Sequence, residues 1–127
     1  MQSATIEVNL ILDGHLITGG TAPTLSLGAS GVTGSGATSS IRGDDTLGTI
    51  TITAGSNPTS SGTIATVTFH TPYGAGITPQ VVLSPASADA SNSQYYVSSI
   101  TNTGFQINVN ATPTASGVYM FSFFAGE

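Results

Sequence analysis

Six stretches in the later part of the chain alternate apolar and polar residues with the period of two that a half-buried strand requires. In "GTITITAG" (48–55), Ile50 and Ile52 share one face and threonines occupy the other. In "GTIATVTFHT" (62–71), Ala65, Val67 and Phe69 align in the same way. "PQVVLSP" (79–85), "QYYVSSI" (94–100), "GFQINVN" (104–110) and "GVYMFSFFAG" (117–126) complete the set. The alternation is cleanest in "GFQINVN", with Phe105, Ile107 and Val109 set against Gln106, Asn108 and Asn110. Between these stretches lie Gly, Pro, Asn and Ser combinations that favour turns, and no segment shows a useful length of helical periodicity. The pattern predicts an all-β fold, an antiparallel β-sandwich or jelly roll.

Two strands carry more than alternation. Tyr95 and Tyr96 are adjacent, so a strand sends them to opposite faces. In the last strand Tyr119, Phe121 and Phe123 point one way, while Met120 and Phe124 point the other. A strand apolar on both faces is covered on both. One cover is the sandwich core; the other is expected to be a neighbouring subunit, with Phe121, Phe123 and Phe124 as packing residues.

The first third reads differently. "ATIEVNLIL" (4–12) alternates Ile6, Val8 and Leu10 against Glu7 and Asn9, a strand with no partner nearby in its own segment. "DG" at 13–14 marks a turn, and "HLITGG" resumes a short strand. "GASGVTGSGATSS" (28–40) is either a flexible linker or an extended segment held by neighbouring chains. These features divide the chain at residue 45, with residues 1–45 as an extended, Gly-rich stem segment and 46–127 as the head. Val8 and Leu10 then pack between chains.

Composition narrows the function. Among 127 residues there is one Lys or Arg against six Asp or Glu, a formal net charge of -5. Such a surface cannot neutralise phosphates, which excludes nucleic acid as a partner and argues against docking on anionic membranes. No run approaches the ~20 apolar residues of a spanning helix, so no membrane insertion is expected. Cysteine is absent, which removes disulfides, thiolate metal sites and cysteine nucleophiles.

From residue 14 onward, the ordered segments "GHLITGGTAPTLSLGASGVTGSGA", "GDDTLGTITITAGSNPTSSGTIATVTFHTPYGAGITPQVVLSPA", "YYVSSITNTGFQINV" and "YMFSFF" carry a resemblance. The chain resembles the domain that closes many bacteriophage tail-fibre and appendage proteins and some bacterial surface fibres. That resemblance implies a homotrimeric fibre tip that assembles the fibre, presents a host- or surface-binding head, and belongs to a virion or an extracellular fibre. It places residues 4–18 in the last piece of stem. Gly43 and Asp45 fall on its pattern, whereas Arg42 and Asp44 fall where it is open.

The chain offers little for catalysis. Its only histidines, His15 and His70, lack a serine elbow, and its acids sit mostly in turns, so no enzyme activity is expected. No metal or cofactor is implied, since "RGDDT" lacks the alternate acid spacing of a calcium loop. Sugar recognition is better supplied: Tyr73, Tyr96 and Asn92 combine aromatic faces with an amide in or near loops. A host-surface glycan or protein receptor is the partner such a head would take. A capsid decoration protein and a carbohydrate-binding module are the alternatives. The sole cation, Arg42, opens an Arg-Gly-Asp triplet. It is read here as a turn and hinge of Arg42, Gly43 and Asp45, in which Asp45 fixes the chain before the next strand and Arg42 neutralises a nearby carboxylate.

Overall fold

The computed structural model describes Thr5 and residues 11–127. Among these, the alternating stretches become strands at the positions their periodicity indicates. The order is β1 (Thr24–Leu27), α1 (Ser30–Thr33), β2 (Thr38–Gly43), β3 (Leu47–Thr53), β4 (Gly62–Thr68), β5 (Gln80–Pro85), α2 (Ala88–Asn92), β6 (Tyr95–Thr101), β7 (Gly104–Val109) and β8 (Val118–Gly126). The strands form two four-stranded sheets, ordered β1-β4-β7-β6 and β2-β3-β8-β5, with every pairing antiparallel.

Register explains why the sheets stack. Ile50 lies opposite Phe121 and Ile52 opposite Tyr119, so the apolar sides of β3 and β8 coincide. Val67 lies opposite Phe105 and Ala65 opposite Ile107, which does the same for β4 and β7. The two apolar faces close on each other. Phe105 of one sheet meets Phe123 of the other at 5.9 Å between ring centroids, and Tyr95 meets Phe121 edge-on at 5.1 Å. Phe105, Phe121, Ile50, Ile52, Ile64 and Ile107 are fully buried. Burying each such side chain is worth roughly 1.5–3 kcal/mol, which makes this interface the main source of stability.

A β-bulge between Thr63 and Ala65 lets consecutive residues Ile64 and Ala65 both turn inward, which simple alternation forbids. Asn108 is another departure. It lies on the outer side of β7 yet is buried, because Thr63 Oγ1 donates to its Oδ1 at 2.8 Å and its Nδ2 donates to Ser98 Oγ. A polar side chain covered by its neighbours needs both ends satisfied, and here both are.

The first third does not divide where its composition changes. Residue 45 sits in the turn between the paired strands β2 and β3, and β1 pairs with β4 in the other sheet. Strands Thr24–Leu27 and Thr38–Gly43 therefore belong to the sandwich sheets, although they lie on the stem side of the division expected between residues 45 and 46. The Gly- and Ser-rich stretch holds neither a linker nor an open extended segment; it supplies the helical turn α1, in which Val32 and Thr33 are buried, and then β2. No strand is assigned in "HLITGG", and α2 occupies a predicted turn, where Ser87 caps it by accepting the Ala90 amide. Val8 and Leu10 lie outside the described residues.

The last strand also needs a correction. Tyr119, Phe121 and Phe123 share the inner face, as alternation requires, and Phe121 is fully buried with Phe123 nearly so. Both rings are enclosed by their own chain and have no surface left for a neighbouring subunit. Phe124 alone of the three points outward, 42% exposed.

Candidate functional site

One end of the sandwich gathers the β2–β3 turn, the β4–β5 connection, the β6–β7 turn and the segment before β1. Asp44 builds the first of these. Its amide donates to the Leu47 carbonyl at 2.9 Å, and its Oδ1 accepts the amides of Thr46 at 2.8 Å and Leu47 at 3.0 Å. This is an Asx-type turn closed by a backbone bond. Gly43, at φ 108°, enters the turn in a region that suits only glycine, and a Cβ there would collide with the Leu47 carbonyl. Burial pushes the Asp44 carboxyl up, but hydrogen bonds from the Thr18 hydroxyl and the Leu47 and Thr46 amides outweigh it and hold it below its ordinary value. The turn therefore rests on Asp44, which replaces Asp45 in the role expected of it.

Asp45 does something else. Its Oδ1 accepts the His70 amide and its Oδ2 the Thr71 amide, both at 2.7 Å. The carboxylate thus clips the start of the β4–β5 connection onto the β2–β3 turn. Between them opens a cleft of about 260 Å³ lined by Gly19, Gly20, Thr21, Asp45, Thr46, His70 and Thr71, with Asp44 at its base. Each Asp45 oxygen keeps a second lone pair, and three threonine hydroxyls and an exposed imidazole share the cleft.

Tyr73 stands beside this cleft. Its ring packs edge-on against Phe69 at 5.3 Å, and its backbone is held by Asn102, which accepts the Tyr73 amide at 2.8 Å and donates Nδ2 to the Tyr73 carbonyl at 3.2 Å. Burial, then the charges of Asp45 and Glu127, push the Tyr73 hydroxyl up from its ordinary value. The phenol accordingly keeps its proton at neutral pH and can donate a hydrogen bond. A carboxylate and several hydroxyls within the concavity, with an aromatic side chain beside it, match the chemistry of a neutral polyol.

The other sequence-derived residues lie elsewhere. Tyr96, 47% exposed, projects from the outer side of β6, opposite the inward Tyr95. Asn92 ends α2, at the far end of β6 from the β6–β7 turn that holds Tyr73, which is roughly 20 Å for a strand of that length. It lines a separate cleft of about 150 Å³ with Asp89, Ser93 and Thr114. Tyr73, Tyr96 and Asn92 thus share no site. Arg42 is exposed on the outer side of β2. The carboxylates of Asp44 and Asp45 are satisfied by backbone amides, so neither draws on Arg42 as its neutralising partner.

Thr21, His70 and Thr71 are cleft residues that reading the sequence for sugar contacts missed. Their common signal is position, since all lie in connections within three residues of a strand end, where loops carry function. No group of three His, Cys, Asp or Glu side chains able to hold a metal is found among the described residues.

Residues 64–124 match the family model of the H-type lectin domain. The matched span runs from β4 through β8 and includes His70, Thr71, Tyr73 and Asn102. Neither the curated proteins nor the solved structures give a match to the chain.

Proposed function

We propose that this protein is a lectin-like, non-enzymatic carbohydrate-binding head, and that it takes a neutral glycan in the cleft between Asp45 and His70, beside Tyr73. The observation that carries this reading is the match of residues 64–124 to the H-type lectin domain, because it covers the connection that forms one wall of the cleft. The free lone pairs of Asp45 accept hydrogen bonds from vicinal sugar hydroxyls, Thr21 and Thr71 bond to others, and the Tyr73 ring offers an apolar edge. A glycan array followed by calorimetry tests it. The wild-type chain is expected to retain a set of neutral glycans, with His70→Ala and Tyr73→Ala weakening binding about ten-fold or more, as loss of a hydrogen bond or aromatic contact of ~1.4 kcal/mol would. Tyr96→Ala and Asn92→Ala are expected to bind as the wild type does. An array without retained neutral glycans would overturn the reading.

The head is further proposed to sit at the tip of a homotrimeric phage or bacterial surface fibre, where it attaches to a host or substratum. What supports this is the resemblance of the segments already quoted, together with Ile11, Leu12, Leu16 and Ile17, which are 87%, 52%, 56% and 87% exposed. These side chains continue the apolar pattern of Val8 and Leu10 and would bury themselves along a shared stem. Sedimentation of the full chain is expected to give a trimer; a monomer at micromolar concentration would remove the assembly and leave the glycan site standing.

A further inference from the structure

Arg42 is the only Lys or Arg in a chain of net charge -5, and it lines a concavity on the outer side of the β2-β3-β8-β5 sheet. The Arg-Gly-Asp triplet does not explain it, because Asp44 is buried and its carboxylate is taken by backbone amides. An adhesion ligand of that type must present both charges outward, and only Arg42 does so.

The sheet register builds the concavity. Arg42 lies opposite Thr49, and Thr49 opposite Ser122, which sets a guanidinium and two hydroxyls in one row across β2, β3 and β8. The next outward row toward the β2–β3 turn is apolar, with Leu47 opposite Phe124 and Phe124 opposite Val82. Between the two rows lie Gly43 and Gly48, which are themselves partners. Neither glycine has room for a side chain: a Cβ on Gly48 would run into the Phe123 ring and the Arg42 carbonyl. A shallow trough of about 450 Å³ opens here, lined by Arg42, Thr49 and Ser122 on its polar side, by Gly43 and Gly48 between, and by Leu47 and Phe123 as its apolar residues. That volume is within the usual range of small-molecule sites.

We infer that this trough is a second binding site, selective for a saccharide that carries a carboxylate. A sugar ring has an apolar face for the Leu47 side chain and hydroxyls for Thr49 and Ser122. Its carboxylate takes the Arg42 guanidinium, whose planar fork bonds both oxygens at once. Elsewhere the negative surface repels an acidic ligand, so attraction is focused where the lone cation stands. The site shares no lining residue with the Asp45 cleft and differs from it in charge preference.

The test uses the full chain, a glucuronic-acid-containing oligosaccharide, and the same oligosaccharide with its carboxyls reduced to alcohols. Calorimetry is expected to show the acidic form binding at least about ten-fold more tightly than the reduced form, with the difference abolished in Arg42→Gln. Amide chemical-shift changes are expected at Thr49 and Ser122, and Arg42→Lys is expected to restore part of the affinity. Thermal melting of Arg42→Gln at the wild-type temperature shows that loss of binding is not loss of fold. Equal binding of the two oligosaccharides, or unchanged acidic binding in Arg42→Gln, would overturn the inference, as would self-association that disappears in Arg42→Gln. The two sites are separable, since His70→Ala is expected to leave the acidic oligosaccharide bound. Acidic binding without any neutral glycan binding would remove the Asp45 cleft alone, and the converse would remove this trough alone.

Discussion

Asp45 and His70, 25 positions apart, are joined by a 2.7 Å hydrogen bond from the His70 amide to one carboxylate oxygen, and the Thr71 amide takes the other oxygen at the same distance. This pair of bonds sets one wall of the cleft against the other. Asp45→Ala leaves both amides to find water, with an expected stability loss of about 1–2 kcal/mol, and Asp45→Asn, which keeps one acceptor oxygen, should fall between. Hydrogen exchange at His70 and Thr71 reads the clip directly. Exchange at the wild-type rate in Asp45→Ala would mean that the wall is held by something else.

Asp44 predicts the direction of pH dependence. Its folded-state carboxyl is held below the ordinary value, so near that range the unfolded chain binds the proton more tightly than the native one does. The stabilisation is present above the unfolded-state pKa and is lost as pH falls through the folded-state pKa. Chemical denaturation at a series of acid pH values is expected to show a shallower decline in Asp44→Asn than in the wild type. A parallel decline would place the acid sensitivity elsewhere.

Much of the fold was legible in the sequence, and the failures have identifiable causes. The strands from β3 to β8 fall where period-two alternation places them, because each has one face on a single core. The contribution of residues 24–43 was hidden because Gly, Ser and Thr look alike in a linker and in a narrow edge strand such as β2, whose side chains are mostly exposed. Ile64 was unreadable for another reason, since the bulge that turns it inward leaves no mark in the alternation. At the site, Asp44 and Asp45 are adjacent and chemically identical. Only the partners supplied by residues 46–47 and 70–71 distinguish a turn from a clip.

Phe121 and Phe124 differ by three positions and by face, and should differ sharply in consequence. Phe121→Ala empties the centre of the sandwich and is expected to cost roughly 3–5 kcal/mol. Phe124→Ser alters a partly exposed ring on the outer side and is expected to cost less than about 1 kcal/mol. Urea unfolding of the two variants checks both values. Equal losses would mean that the outer face is covered in solution.

The exposed apolar side chains at residues 11–17 give a prediction that separates assembly from folding. Ile17→Asp is expected to shift sedimentation toward monomer, because a carboxylate cannot be buried among apolar neighbours without a partner. The thermal midpoint of the isolated head should remain where it is, since Ile17 is 87% exposed on the single chain. A trimer that persists in Ile17→Asp would place its contacts on other residues.

Tyr73 supplies the alkaline counterpart of Asp44. Burial, then the charges of Asp45 and Glu127, raise its hydroxyl above the ordinary value, so the native state keeps this proton after the unfolded chain has released it. Its contribution is fully present below the unfolded-state pKa and is lost as pH rises through the folded-state pKa. Ultraviolet absorbance titration should show a tyrosine ionising above the ordinary value, and Tyr73→Phe should remove that step. Glu127→Gln is expected to move the step toward lower pH without abolishing it, because burial is the larger cause. A neutral glycan bound beside Tyr73 would bury the phenol further, so it is expected to move the step to higher pH. If Tyr73→Phe leaves the raised ionisation in place both with and without glycan, the step does not belong to Tyr73.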